Sequence, residues 1–286
     1  MTKTPSISRN PACTIFRPVF TLLALSVVCL PHPAHGQATF GMSPAIVIRQ
    51  FKPGQPFEFD LSVSNGRAAP LELRGVAMDW WYDEKNEKAF GLPGSLPRSA
   101  SNWIAFVPKQ FTVPPNGTGK VKVVVTPPPT TSGGYYAVAF VESKPELVQE
   151  ATKETKGVFS NIRLGCLLLL EAEGTENYKI EVSQAKLQPP DSSHNLSLDF
   201  ELENQSNTHI FPRIDLAILS EDHRLMAKAE AETKRFLPGQ KQSMSLTWAG
   251  ALAPGSYTAV LTIVYGNDQI YTREFTFQVG AQPNMT

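Results

Sequence analysis

Val158-Phe159-Ser160-Asn161-Ile162-Arg163-Leu164-Gly165-Cys166-Leu167-Leu168-Leu169-Leu170 is the most apolar stretch of the chain after its first 36 residues. Its parity decides how the rest is read. Val158, Ile162, Leu164, Cys166, Leu168 and Leu170 fall on even positions, while Asn161, Arg163 and Gly165 fall on odd ones. A period of two is that of a β-strand with one buried face. The odd face turns apolar only at Leu167 and Leu169. The stretch therefore predicts a strand that is one-sided at its start and two-sided at its end, as for an edge or interface strand running into a core.

Working outward, the same alphabet recurs in short runs punctuated by Pro, Gly and Asn. Tyr135 to Glu142 follows Gly133-Gly134 and stops near Lys144-Pro145; a charged stretch, Glu146 to Lys156, separates it from the apolar strand. Further upstream, Ala45 to Arg49 precedes the turn Lys52-Pro53-Gly54-Gln55, and Phe57, Phe59, Leu61 and Val63 alternate with Glu58, Asp60 and Ser62. Leu71 to Trp81, Trp103 to Val107, Phe111 to Val113 and Val121 to Val125 read as further strands, with Tyr82 to Asn102 as a polar excursion. Pro127-Pro128-Pro129 ends the last of these, because proline cannot donate to a ladder. Downstream, Gly174 to Asn177 marks a boundary. Tyr178 to Val182, Leu196 to Leu202, Ile214 to Leu219, Leu225 to Ala231, Ser243 to Trp248, Tyr257 to Tyr265 and Ile270 to Val279 make seven strand candidates beyond it. On propensity alone, Leu225 to Lys234 also reads as a short helix. Seven short strands in a domain of this size is the immunoglobulin-like count. The predicted fold class is all-β: two immunoglobulin-like β-sandwich domains in tandem, over 37–174 and 175–286.

Residues 1–36 are set apart by composition. Lys3, Arg9 and Arg17 precede an uncharged apolar run from Val19 to Leu30, followed by Pro31, Pro33 and Ala34-His35-Gly36. This charged, apolar and small-residue order is that of a secretory signal peptide, with cleavage expected after about Gly36. The run is shorter than the ~20 residues that span a bilayer, so no transmembrane anchor is expected. Export out of the cytoplasm follows as the expectation. Cys13 and Cys29 leave with the signal, and Cys166 alone cannot form an internal disulfide. The chain carries 26 basic and 26 acidic residues, and the remainder after the signal is slightly acidic. A strongly basic nucleic-acid surface is thereby excluded.

Catalysis requires groups the sequence hardly offers. His194, His209 and His223 are the histidines beyond the signal, read as solvent-exposed loop or strand-end residues without the Gly-x-Ser-x-Gly framing of a nucleophile. No His or Cys pair has zinc spacing, and Asp79 to Glu87 lacks the ligand order of a calcium loop, so neither a metal nor a cofactor is expected. Cys166, inside an apolar strand, reads as a buried hydrophobe. Trp80-Trp81-Tyr82 has two readings: a stacking platform for a cell-wall polymer, or one ring in the core and another at a domain edge.

The run Phe111-Thr112-Val113-Pro114-Pro115-Asn116-Gly117 through Val125, with Tyr135-Tyr136-Ala137-Val138-Ala139-Phe140-Val141-Glu142-Ser143-Lys144-Pro145, resembles the N-terminal domain of periplasmic pilus chaperones of the PapD type. The resemblance implies two immunoglobulin-like domains set in an L and a non-enzymatic role in fimbrium biogenesis. It implies a protein client, a pilus or surface subunit held by strand donation, with an usher as a further partner. Family members anchor the client's terminal carboxylate on two basic side chains in the interdomain cleft, and Arg49 and Arg163 resemble that pair by position. Val158, Ile162, Leu164, Cys166 and Leu168 would be the donor set; their other reading is an ordinary core-facing strand. The leucine run continues into Glu171-Ala172-Glu173-Gly174 without the proline that the resemblance implies at the domain junction. Its second domain, with Leu252-Ala253-Pro254-Gly255-Ser256-Tyr257 and Phe275-Thr276-Phe277-Gln278-Val279, is similar also to that of WxL-interacting surface proteins. That likeness implies a cell-wall or surface-adhesion role instead.

Overall fold

Nineteen strands and one short 3-10 turn, Ser101–Trp103, make up the regular structure of the computed structural model, which describes residues 40–149, 158–232 and 235–280. The leader read at 1–36 lies outside the described residues. The first sandwich runs β1 (Phe40–Ser43), β2 (Ile46–Phe51), β3 (Phe57–Asn65), β4 (Leu71–Tyr82), β5 (Lys88–Gly91), β6 (Ile104–Val107), β7 (Gln110–Val113), β8 (Gly117–Val125), β9 (Gly133–Ser143), β10 (Glu146–Gln149), β11 (Val158–Ser160) and β12 (Arg163–Ala172). One sheet has the order β1-β3-β8-β6; the facing sheet has the order β2-β12-β9-β4-β5, with β7 also on β4. Between them Leu61, Val63, Val121, Val123, Val125, Ala137, Ala139, Val141, Cys166, Leu168 and Leu170 form a closed core, each at most 1% exposed.

The first strand region changes sheets. β1 pairs antiparallel with β3, then the chain passes Ser43–Pro44 and β2 pairs parallel with β12 in the opposite sheet. The apolar stretch at 158–170 is divided, because Ile162 leaves the ladder: its N–H donates to Ser143 Oγ and its carbonyl accepts from Ser143 N–H. Three strands were not legible in the sequence. β1 is only four residues long, β5 lies inside the polar excursion, and β10 opens the charged stretch to pair with β11. The excursion is fixed from within. Buried Asp79 accepts hydrogen bonds from the N–H groups of Gly94 and Leu96 and from the hydroxyls of Ser95, Ser99 and Ser101.

The second sandwich contains β13 (Ile180–Gln188), β14 (Leu196–Asn204), β15 (Arg213–Ser220), β16 (Leu225–Glu230), β17 (Lys241–Trp248), β18 (Gly255–Tyr265) and β19 (Gln269–Val279). Its sheets are β13-β14-β17 and β16-β15-β18-β19, closed over a second core around Leu198, Leu202, Leu216, Phe236, Leu246 and Leu261. Leu225–Glu230 is a strand and not a helix, since it completes the edge beside β15. The cores lie on either side of Gly174.

A third apolar cluster joins the two sandwiches. Trp80, Tyr136, Val138, Phe140, Leu167 and Leu169 lie on the outer face of the β2-β12-β9-β4-β5 sheet, and Leu237 of the second sandwich packs among them. Beside it, Gly134 N–H donates to Asn207 O at 2.9 Å and Gly133 N–H to Thr175 Oγ1 at 2.8 Å. Gly133 has φ +74°, a conformation that favours glycine, and the backbone of Asn207 fills the space a Cβ would need.

Candidate functional site

β12 is hydrogen-bonded along its whole length on one side and along only part of it on the other. Ten register pairs join it to β9, from Arg163 opposite Glu142 to Ala172 opposite Gly133. On the other side β2 begins only at Ile46 opposite Leu167. Among the described residues, Arg163 to Cys166 therefore form an open sheet edge. The expected change from one-sided to two-sided burial falls at this boundary: Arg163 is exposed, Leu164 and Gly165 half-buried, and Cys166 to Ala172 buried.

Parity places the side chains. Cys166 and Leu168, on the even face, are fully buried in the first core, against which Ile162 and Leu164 are partly buried. These residues face their own sandwich, the ordinary core-facing reading. Cys166 has its thiol pushed up to about 12 by burial, which keeps it protonated. The side chain of Val158 lies outside the described residues. The odd face looks outward. Gly165 lies opposite Phe140, and an added Cβ would be 2.7 Å from that ring. Val76 and Met78 of β4 continue the same rows. Ile46 and Ile48 of β2 and Phe90 of β5 leave 38%, 56% and 44% of their surfaces exposed, and Phe159 of β11 leaves 66%. The outer face is thus an apolar band beside an open edge.

Above that band lies a charged row. Arg74 of β4 and Arg163 of β12 are both in register with Glu142 of β9. Arg163 Nη2 is 2.6 Å from Glu142 Oε2 and Arg74 Nη2 is 2.7 Å from Oε1, and each Nε donates to the same oxygen as its Nη2. Burial alone would raise the Glu142 carboxyl, but hydrogen bonds and charge from Arg163 and Arg74 outweigh it and hold it below the ordinary carboxylate range. The Arg163 guanidinium also stacks 4.8 Å from the Phe140 centroid.

Arg49 is elsewhere. It lies opposite Leu170, in the core-facing parity, with its guanidinium 4.5 Å from the Phe57 centroid. Seven register positions at ~3.3 Å per residue separate it from the level of Arg163, and the two point to opposite faces. They do not form one carboxylate site. Arg49 lines the cleft between the sandwiches, about 350 Å³, with Ile48, Gln50, Glu171, Tyr178, His209 and Phe211. The side chain that β12 contributes there is acidic: buried Glu171 accepts from Gln50 Nε2 at 3.0 Å, Tyr178 Oη at 3.1 Å and Thr208 Oγ1 at 2.7 Å.

One further sequence expectation is corrected here, and one of the two readings of Trp80-Trp81-Tyr82 is selected. His209 is 6% exposed, in edge contact with Tyr136 and Phe211, and burial lowers its imidazole to about 4; it is not a solvated strand-end residue. Trp80 is fully buried at the junction, so it is no open stacking platform, while Trp81 is half-buried. His194 is an exposed loop residue bonded to Asp191, as expected. The signal for Glu142 was in the sequence, since Arg74 and Arg163 each fall on the polar parity of a strand. The pairing of Glu171 with residues 50, 178 and 208 had no local signal. Among the described residues no group of three His, Cys, Asp or Glu is placed to hold a metal, and no helix is long and apolar enough to cross a membrane.

Similar solved structures include fimbrial chaperones. The class 5 fimbriae chaperone CfaA is 13% identical, with 84% of this chain and 98% of that chain covered and a TM-score of 0.46. A chain of the chaperone–tip adhesin complex of CFA/I fimbriae is 12% identical, with 85% and 100% covered and a TM-score of 0.47. A chain of the Salmonella enterica SafA pilin–SafB chaperone complex is 10% identical, with 86% and 99% covered and a TM-score of 0.40. No protein-family model and no curated protein sequence matches the chain. The two sandwiches are evident from the chain's own registers and cores.

Proposed function

We propose that this is a periplasmic, chaperone-like binding protein that takes an extended apolar segment of a surface or fimbrial subunit as an added strand. The observation that carries this reading is the open edge of β12 from Arg163 to Cys166, in a sheet whose outer face exposes Ile46, Ile48 and Phe90. Unpaired backbone groups beside apolar surface are a template for strand addition, in which main-chain hydrogen bonds give affinity and alternate side chains give specificity. Holding such a segment shields it from aggregation until assembly. Ile162 and Leu164, half-buried at the edge, contribute side-chain contact, Cys166 is committed to the core and contributes backbone only, and Leu168 is already paired with β2 and β9 and stands outside the contact. Arg49 stands at the rim of the cleft with its guanidinium over Phe57, and contact with the client there belongs to the same proposal. Export by the 1–36 leader and delivery to an usher belong to the same proposal.

Hydrogen exchange with and without a soluble apolar strand peptide tests it. Outward-pointing amides among residues 163–166 should slow on binding. Binding with protection confined to the second sandwich would overturn the reading.

A further inference from the structure

The charged row at the top of the outer face has an order. Reading across neighbouring strands, Gln110 of β7 lies opposite Arg74 of β4, Arg74 opposite Glu142 of β9, and Glu142 opposite Arg163 of β12. The sequence of charges is neutral, positive, negative, positive, and then the sheet stops. Among the described residues, nothing is in register with Arg163 on its other side, because β2 starts four positions later, at Leu167.

Two features make the terminal cation a surplus. The neighbouring pairs Lys144–Glu72 and Arg67–Glu146 are one-to-one, whereas here two guanidiniums share one carboxylate. Each guanidinium spends Nε and Nη2 on a single Glu142 oxygen, leaving Nη1 without a partner among the described residues. The Arg163 side chain is 42% exposed and is held over Phe140, so its position is fixed while its outer edge stays open.

From this ladder we infer that Arg163, positioned by Glu142 and Arg74, recognises an acidic side chain of the added strand. Directly opposed residues on adjacent strands bring their Cβ atoms to ~5 Å, within reach of a charge-assisted hydrogen bond. A residue in register with Arg163 on the open edge completes the alternation when it is Asp or Glu. A Lys or Arg there meets like charge. The partner is therefore an apolar strand carrying one carboxylate at a fixed position, and the ladder selects its register as well as its chemistry. A one-residue slip moves the acid to the opposite face.

This inference rests on the strand-addition reading, and one experiment separates the two. A set of strand peptides, identical except that a single Glu is moved along an otherwise uncharged sequence, is titrated calorimetrically against the full chain. One position should bind about tenfold tighter than its Gln counterpart. The advantage should shrink at high salt, disappear in Arg163→Gln, and turn into a preference for Lys at that position in Arg163→Glu. Circular dichroism of each variant checks that it is folded, and retained binding of the all-neutral peptide checks that the edge is intact. A flat profile across Glu positions overturns the ladder and leaves strand addition standing. No binding by any peptide overturns both.

Discussion

Arg49 and Arg163 lie on opposite faces of one sheet, seven register positions apart along β12. Each is stacked on its own aromatic ring, Phe57 for Arg49 and Phe140 for Arg163. Among the described residues they share no hydrogen-bond partner. Two such sites act independently. In a double-mutant cycle of Arg49→Ala and Arg163→Ala, the losses in partner affinity should add to within about 0.5 kcal/mol. A coupling of 2 kcal/mol or more, on the scale of ~1–3 for charge-assisted contacts, would show that one carboxylate bridges both.

Gly165 leaves the room that Phe140 fills. Its added Cβ would meet the ring at 2.7 Å and Val138 at 3.1 Å. Gly165→Ala should destabilise the first sandwich by roughly 1–3 kcal/mol, the usual cost of overpacking. Urea denaturation measures it. The companion change Phe140→Leu should recover part of the loss if the clash is the cause.

His209 makes the junction sensitive to acid. Burial lowers its imidazole from 6.5 to about 4, against the pull of Glu171 and with the help of Arg235. The unfolded chain binds the proton first, so stability is fully present above pH ~6.5 and falls as the pH drops from there towards 4. The slope contributed by one group is at most about 1.4 kcal/mol per pH unit. Stability measured from pH 7 to 4 in wild type and His209→Gln should show a shallower decline in the variant. Parallel curves would remove His209 from the account.

Cys166 is fully buried, with its thiol raised to about 12. The thiolate is the reactive form. A thiol reagent at pH 8 should label the native protein only at the rate at which β12 opens, and the denatured protein at once. Rapid labelling of native protein would mean that the first core opens around β12 much of the time.

Alternation was readable wherever one face of a strand meets a core and the other meets water. That is why the strands of the second sandwich and the inward set Cys166, Leu168 and Leu170 were legible. It failed where a strand is short or made by its partner. β5 forms because Asp79–Tyr82 offers an edge, and its own residues, Lys-Ala-Phe-Gly, carry no period. Parity also places Arg163 and Arg49 on opposite faces, but only after the parallel register of β2 with β12 is known, and that register depends on contacts 121 residues apart.

What the sequence by itself determined is local: two runs of β-rich text divided near Gly174, and an apolar stretch at 158–170 whose burial begins one-sided and ends two-sided. Side-chain period and turn chemistry act between near neighbours, so they are written along the chain. What only the tertiary structure decided is which strand edge stays open, which cation stands at it, and that Glu171 and His209 are buried at the junction. Those depend on where β2 ends against β12 and where the second sandwich docks. Both are set by long-range hydrogen bonds and by the burial of Trp80, Tyr136 and Leu237 against one another.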